Sequence, residues 1–362
     1  MRWARDIRAT LGRTGAGLAG AAALAGIAAF VTGVLGGHAR GTFGTLIGSW
    51  LFFAGGVLGA ATFAALFRII PARWARGPAS LAHAPLGFAP VALALLVVVL
   101  AGAGSAPWTA ESRGWLATPV LVARELVLGA LLLGAAWRWF GPRSGPASLA
   151  QAVTLLIAYT LVLSVWAFDF VLGPDAVFGS TIIGPWVFVT AFLAGTDLVV
   201  LLALARDELS PAARRDVASF LLAVTVFWAY LFAAQALTIW YGNLPDETAF
   251  LLRRLEGGWG WAGLVMLVLV FGAPFATLLL SAGRSSTRVL YPLVVGQLVG
   301  LWVELQILVV PSLTPSDELL PVRPRAVLVA LGMLGVFVLC LAAAGSDSAP
   351  GTLAPEPERR SA

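Results

Sequence analysis

Ten long apolar stretches, separated by short polar loops that contain arginine, dominate this sequence. Each stretch holds about twenty residues, and an α-helix of that length spans the roughly 30 Å hydrocarbon core of a bilayer. The chain is 59% hydrophobic and only 11% charged, whereas a soluble domain carries about 25% charged residues. These features exclude an ordinary soluble fold and predict an all-α, polytopic membrane protein with ten transmembrane helices.

The predicted helices follow the limits of the apolar stretches. They cover residues 15–37, 44–67, 85–105, 117–139, 149–172, 182–205, 217–241, 260–282, 288–311 and 325–344. Residues 1–14 are then a cytoplasmic N-terminal segment, and residues 345–362, rich in Pro, Ser and Glu, are a disordered cytoplasmic tail. The sequence WAFD at 166–169 is echoed by WVE at 302–304. This echo suggests a parallel repeat of two four-helix bundles, helices 2–5 and 6–9, with one peripheral helix at each end.

The distribution of arginine predicts the orientation. With ten helices both termini lie on one side, and that side carries 16 arginines against 6 on the other. Arginine accumulates on the cytoplasmic side of membrane proteins. We therefore expect cytoplasmic termini and place the 242–259 loop outside. The same rule explains the net charge of +5 without a nucleic-acid partner.

The sequence is poor in metal ligands. It has one cysteine, Cys340, inside the last apolar stretch, and two histidines, His38 and His83, in predicted loops. A bis-histidine haem needs two buried imidazoles, and an iron–sulfur cluster needs several thiolates. We therefore expect that this chain alone binds no metal and no cofactor, and that it cannot relay electrons over distance by itself.

Five Arg, Asp or Glu side chains fall inside predicted helices and more than one residue from their ends, where an unpaired charge costs about 2.5–3.5 kcal/mol. From a rise of about 1.5 Å per residue, Arg124, Glu125, Asp169 and Glu304 lie in the outer half of the membrane. Asp197 lies in the inner half, about 12 Å from the cytoplasmic face. Acids that face one another or water can exchange protons, so this arrangement predicts a proton pathway.

Hydrogen-bonding side chains at intermediate depths extend the candidate pathway: Tyr159, Ser164, Thr196, Thr225, Tyr230, Gln235 and Gln297. Structural alternatives stay open for several of them, because hydroxyl groups in membrane helices commonly bond to their own helix. Asp169 is alternatively a hydrated interfacial acid. Arg124 is alternatively the structural ion-pair partner of an acid on a neighbouring helix. It points about 100° away from Glu125 and is not expected to pair well with it.

Residues 227–248 read FWAYLFAAQALTIWYGNLPDET. This segment resembles the signature of the ActF membrane subunits of bacterial alternative complex III. That signature has a Phe-Trp-Ala-Tyr start, a glutamine, and then Ile-Trp-Tyr-x-Asn-x-Pro-x-Glu-Thr. The resemblance extends over helices five to nine, about half of the chain.

Two further segments support the resemblance, each with a departure. Residues 164–181, SVWAFDFVLGPDAVFGST, resemble the family's aspartate-containing helix end, but the family's Pro-His is Pro174-Asp175 here. Any role of that histidine is therefore absent or altered. Residues 301–313, LWVELQILVVPSL, resemble the family's Trp-Val-Asp segment, with Glu304 at the acid.

The resemblance implies a fold and a function. ActF belongs with the NrfD/PsrC-like membrane subunits, and it implies a location in the bacterial cytoplasmic (inner) membrane. The implied partners are an ActC-like membrane subunit, an iron–sulfur subunit, haem c subunits and a terminal oxidase. The complex oxidises quinol and reduces cytochrome c or an oxidase, and ActF is proposed to carry a proton pathway. Asn243, Asp246 and Glu247 are expected outside, where a partner subunit could bind.

Two alternatives compete with this hypothesis. One is the quinol-binding membrane anchor of an NrfD/PsrC-type iron–sulfur or molybdopterin oxidoreductase. The other is a secondary transporter that works alone. Such transporters use facing helices that are broken by Gly or Pro near the middle of the membrane. Gly272 and Pro274 in helix eight are the good candidate for such a break, and helix four has no matching one.

Overall fold

The computed structural model describes residues 2–102, 114–175, 178–207, 209–314 and 324–347. In these ranges the chain is helical and has no β-strand, and ten helices are long and apolar enough to cross a membrane. They are α1 (Thr14–Leu35), α2 (Ala39–Ile69), α3 (Arg76–Ala101), α4 (Thr118–Phe140), α5 (Leu149–Leu172), α6 (Ile183–Ala205), α7 (Pro211–Gly242), α8 (Trp259–Leu279), α9 (Thr287–Leu313) and α10 (Pro324–Ala344). The prediction of an all-α, multi-pass membrane protein is confirmed. Of the predicted tail, residues 348–362 lie outside the described residues.

Local capping explains where two of the helices begin, α7 earlier than predicted and α5 at the predicted residue. The helix of α7 begins six residues early, at Pro211, because Ser210 accepts a hydrogen bond from the Ala213 amide and proline suits the first helical position. Ser148 and Gln151 form a capping box at the start of α5. The N-terminal segment is also helical from Arg2, with a break at Gly12, whose φ of 55° is left-handed.

The helices pack as two groups of four, α2–α5 and α6–α9. We call them the first and second bundles. α1 and α10 pack against each other so closely that a methyl group on Gly26 would lie 2.5 Å from the Gly332 Cα atom. This outer pair rests on α2 and α3 of the first bundle. The side where α1 begins and α10 ends is called the terminal side below, and the other the opposite side.

α2 and α6 join the two bundles through small residues. A Cβ atom on Gly59 would lie 2.1 Å from the Ala191 carbonyl oxygen, and one on Gly195 would lie 2.2 Å from the Ala60 amide nitrogen. Small residues allow this close backbone approach, which dispersion and weak hydrogen bonds favour inside a membrane. The two helices therefore fix how the bundles sit on one another.

The two bundles are related by a constant offset in sequence. Trp50 and Trp186, Gly59 and Gly195, and Trp166 and Trp302 are each 136 positions apart. The acids Asp169 and Glu304 are 135 positions apart. The extra residue of the first bundle falls where α5 widens into a π turn, Phe168–Leu172, and a π turn accommodates one added residue. This offset agrees with the parallel repeat predicted from sequence.

The predicted 242–259 loop contains a short amphipathic helix, Pro245–Leu255, which we call the loop helix. α7 ends at Asn243, whose left-handed backbone turns the chain, and Pro245 then starts the loop helix. Asp246 and Glu247 lie in its first turn and Arg253 and Arg254 in its last, which complements the helix dipole.

Candidate functional site

The four acids that the sequence analysis placed inside spanning helices are all buried. Glu125, Asp169 and Asp197 have no exposed surface, and Glu304 is 1% exposed. None of them faces lipid or the hydrated interface. The interpretation of Asp169 as a hydrated interfacial acid is therefore wrong. The structure divides the four acids into three environments.

Asp169, on the π turn of α5, is bound to Arg124 of α4. Nε and Nη2 of Arg124 both donate to Oδ2, the first over 3.0 Å. The indole N–H of Trp115 donates to Oδ1 over 2.9 Å. The guanidinium also lies over the Trp115 ring, 3.8 Å from its centroid, and donates to the Trp115 carbonyl oxygen. The negative charge of Asp169 is thus balanced by Arg124. This is the structural ion pair with a neighbouring helix that was the alternative interpretation of Arg124.

Glu125 approaches the same arginine. Its Oε1 lies 3.5 Å from Nε of Arg124, although the two residues were expected to diverge. They meet because Arg124 folds toward Asp169 and so passes beside its neighbour. Neither oxygen of Glu125 has a hydrogen-bond partner among the described residues. Arg124 therefore lies near two acids but donates hydrogen bonds only to Asp169.

Glu304, on α9, lies in a cradle of neutral donors in the second bundle. The indole N–H groups of Trp186 and Trp228 both donate to its Oε1, the latter over 3.0 Å. The Thr190 hydroxyl lies 3.2 Å from Oε2 and also accepts a hydrogen bond from Trp228. The acid is held by hydrogen bonds in place of a cation.

Asp197 lies on the same face of α6 as this cradle. Trp186, Thr190 and Asp197 are spaced four and seven residues apart, which aligns them along one side of a helix. Seven residues place Asp197 about 10 Å nearer the terminal side than Thr190. Within the described ranges, neither of its oxygens has a hydrogen-bond partner. Of the four acids, Asp197 is the least satisfied.

Gln297 precedes Glu304 by seven residues and faces the same bundle. Its Nε2 donates to the Thr225 hydroxyl over 2.9 Å and to the Val270 carbonyl over 2.8 Å. Val270 belongs to a second π turn, Val268–Gly272 in α8. The Oε1 atom of Gln297 is buried and has no partner in the described part of the chain. A free acceptor therefore lies between α7, α8 and α9.

Gln235 extends the polar groups of the second bundle toward the opposite side. It lies seven residues beyond Trp228, on the same face of α7, and its Oε1 accepts a hydrogen bond from Ser180. One turn further, Ile239 packs with Phe178 and Phe250. The rings of Phe178 and Phe250 stack with centroids 3.7 Å apart. The loop helix, through Phe250, thus covers this end of the bundle.

Arg254 anchors the loop helix. Its guanidinium lies over the Phe250 ring and donates to the Leu308 carbonyl and the Ser312 hydroxyl at the end of α9. Burial lowers the pKa of Arg254 from its ordinary value to about 9, and Asp175 opposes this shift. The group is therefore still charged near neutral pH. Asp175 itself, where the resembling family has histidine, accepts a hydrogen bond from Arg253 over 2.9 Å.

Other residues of the predicted pathway lie elsewhere. Tyr230 is 64% exposed on the outer surface of α7, because Trp228 occupies the bundle side. The Thr196 hydroxyl bonds back to the Phe192 carbonyl, and Ser164 bonds back to Thr160. Tyr159 is buried but donates to the Phe188 carbonyl between α5 and α6. The structure does not bring these four residues to the acids.

The surface residues of the predicted partner-binding loop are accessible. Asn243 and Asp246 are exposed and Glu247 is half-buried. Sequence reasoning missed the donors that hold the acids, namely Trp115, Trp186, Thr190 and Trp228. The helical spacing of Trp186 and Thr190 with Asp197 was the available signal for two of them.

Within the described ranges, no three His, Cys, Asp or Glu side chains come together as a metal site would require. No family model matches the sequence, and no curated protein matches it. Ten spanning helices establish an integral membrane protein. Its buried acids, with their distinct partners, are the chemistry from which a function can be argued.

Proposed function

We propose that this chain is an integral membrane subunit of a bacterial quinol oxidoreductase of the alternative complex III type, and that it carries a proton pathway. The observation that carries the proposal is the burial of four carboxyl groups in the spanning helices, one of which, Asp197, has no partner among the described residues. A buried carboxyl group is costly unless it pairs or holds a proton, and such groups mark proton relays in membrane proteins.

The resemblance of residues 227–248 to ActF supplies the type of complex. The electrons would be carried by iron–sulfur and haem c subunits, and the ActC-like subunit would be the membrane partner. Asn243, Asp246 and Glu247 are the residues of this chain that we assign to partner contact on the opposite side.

The stand-alone transporter is less well supported. α8 was the candidate for a broken helix, but it stays helical through Gly272 and Pro274 as a π turn followed by an α-helix. A π turn widens a helix without unwinding it. The quinol-binding anchor remains the second candidate, because it shares the bundles and the buried acids with the first.

Purification from native membranes tests the type of complex. The chain, tagged at its C-terminus, should bring with it proteins that contain haem c and iron–sulfur clusters, together with quinol:cytochrome c reductase activity. Copurification of a molybdopterin subunit would favour the anchor. A stable chain that purifies alone and moves a solute would favour the transporter.

Reconstitution of that complex tests the proton pathway. Asp197→Asn keeps the shape of the side chain and removes the titrating group. We expect intact assembly with proton release lowered at least about a hundredfold. Asp207→Asn is the matched control, since the side chain of Asp207 is 84% exposed. Normal proton release by the Asp197→Asn complex would contradict the proton role.

A further inference from the structure

Polar side chains of the described residues form a column in the second bundle. Nearest the terminal side are Asp197 and Gln297, at one level because each lies seven residues from the contact between Thr190 and Glu304. Thr225, three residues before Trp228, comes next, then the cradle of Glu304, and finally Gln235 with Ser180. Thr225 contacts Gln297, Glu304 contacts Trp228 and Thr190, and Gln235 contacts Ser180. Because α6 and α9 run in opposite directions, the seven-residue steps from Thr190 to Asp197 and from Glu304 to Gln297 both lead toward the terminal side.

We propose that protons move only through this column, with Gln297 and Thr225 as the positioning residues on the route from Asp197 to Glu304, and that Asp169 is a fixed counter-ion outside it. This inference rests on the proposed function, which names a proton pathway but not its route. It assigns different roles to the two bundles, although matching residues of the two lie at a constant offset in sequence.

The partners of Glu304 suit a group that gains and loses a proton. Thr190 can donate its hydroxyl hydrogen to a carboxylate or accept a hydrogen bond from a carboxylic acid. The two indole N–H groups hold the other oxygen in place. Since no arginine contacts Glu304 among the described ion pairs, protonation need not break an ion pair.

The gap between Asp197 and Glu304 is about 10 Å along the helix axes. Nε2 of Gln297 donates hydrogen bonds to Thr225 and Val270. The other atom of the amide, Oε1, is therefore oriented as an acceptor inside the bundle. That acceptor and the two oxygens of Asp197 have no partner in the described part of the chain. Such groups can hold water molecules, and water needs two to four polar partners to be retained in a protein interior.

The proton step is then a balanced exchange. Glu304 takes one proton from Asp197 by way of Gln297, Thr225 and water held beside them, and releases one toward Gln235 and Ser180, while Asp197 regains one from the terminal side. No electron moves and no covalent bond to carbon changes.

Asp169 is unsuited to this exchange. Arg124 donates twice to its Oδ2 and Trp115 donates to its Oδ1. Protonation of Asp169 would remove the carboxylate that accepts both hydrogen bonds from Arg124, and loss of one partner of a buried ion pair is costly. Glu125 lies 3.5 Å from Nε of Arg124 but accepts no hydrogen bond from it, so it does not replace Asp169. Arg124 therefore keeps Asp169 out of the pathway.

The test uses the reconstituted complex and measures protons released per electron, with a quinol as donor and cytochrome c as acceptor. Gln297→Leu should lower proton release at least about tenfold. Gln306→Leu is the control, because Gln306 is a buried amide on the same helix that points to Ser49 of the first bundle. Thr225→Val, which removes only the hydroxyl, should act like Gln297→Leu, and Thr225→Ser should behave as wild type.

The ratio of rates in H2O and D2O separates a proton role from a packing role. It should rise in Gln297→Leu and Thr225→Val and stay unchanged in Gln306→Leu. The double variant with Arg124→Gln and Asp169→Asn should keep wild-type proton release.

Three results would overturn the inference while leaving the proposed function in place. They are equal effects of Gln297→Leu and Gln306→Leu, equal effects of Thr225→Val and Thr225→Ser, and loss of proton release in the assembled double variant. If the double variant does not assemble, the comparison of Thr225→Val with Thr225→Ser tests the inference in its place. A wild-type complex that turns over without moving protons would instead refute the proposed function itself.

Discussion

Arg124 holds Asp169 through two nitrogens that share one oxygen, Oδ2, although the residues lie 45 positions apart on neighbouring helices. Asp169 is completely buried and the Arg124 side chain is only 12% exposed. Removal of one partner from such a pair strands the other charge. The pair is therefore a structural tie between α4 and α5.

We predict that Arg124→Gln lowers stability by about 3–5 kcal/mol. The double variant that adds Asp169→Asn should be more stable than the single one, because the carboxylate that Arg124 neutralised is then removed as well. Thermal unfolding of the purified proteins in one detergent measures both. Additive effects of the two substitutions would show that the charges do not interact.

The cradle of Glu304 provides a second prediction. Trp228→Phe removes the N–H that reaches both Glu304 and Thr190, and loss of a buried donor to a polar group costs about 1–3 kcal/mol. Trp240→Phe on the same helix is the control, since Trp240 is 75% exposed and should change stability little. Comparable losses for the two variants, measured by denaturant unfolding, would contradict the geometry of the cradle.

The contact between the bundles provides a third prediction. Gly59→Ala places a methyl group 2.1 Å from the Ala191 carbonyl, so α2 and α6 must move apart at a cost of about 1–3 kcal/mol. Gly134→Ala meets no atom within 4 Å and should be neutral or slightly stabilising. Melting temperatures of the two variants test this difference. An unchanged melting temperature for Gly59→Ala would show that α2 and α6 can separate at no cost in stability.

The sequence was sufficient for the architecture because membrane spans are set by length and hydropathy, which need no knowledge of packing. It also identified Asp197 and Glu304 as acids inside the membrane-spanning helices, since a carboxyl group inside an apolar stretch is conspicuous. It could not place Tyr230, because Tyr230 and Trp228 are both aromatic residues of α7 and only packing shows which one faces the bundle. Likewise, Trp115 lies before α4 in a single turn of 3-10 helix, Gly114–Leu116, which is too short for periodicity to indicate that it reaches Asp169.

The parallel repeat shows a second limit of sequence reasoning. The match of 166–169 with 302–304 is imperfect by one residue, and the sequence alone gives no reason for it. The π turn at Phe168–Leu172 supplies the reason. The loop helix was missed because residues 242–259 were interpreted only as a loop, although Pro245 suits the first turn of a new helix.

The loop helix provides a fourth prediction from two adjacent arginines. Arg254→Gln removes hydrogen bonds from the buried guanidinium to Leu308 and Ser312 and should loosen the cover of the second bundle. Arg253→Gln removes an ion pair with Asp175 in which the arginine side chain is 39% exposed, and such a pair contributes about 0–1 kcal/mol. Limited proteolysis should cut the 243–258 segment faster in Arg254→Gln only. Equal cleavage of both variants would show that Arg254 does not anchor the helix.

The orientation in the membrane provides the last prediction. The arginine bias of 16 against 6 predicts that the termini lie in the cytoplasm and the loop helix outside. Position 246 is exposed in the loop helix, and position 216 is exposed near the start of α7 on the terminal side. Cys340, the sole native cysteine, is first replaced by alanine. A membrane-impermeant maleimide should then label Asp246→Cys in intact cells, and should label Asp216→Cys only after permeabilisation. The reverse pattern would invert the topology and, with it, the direction assigned to proton movement from Asp197 to Glu304.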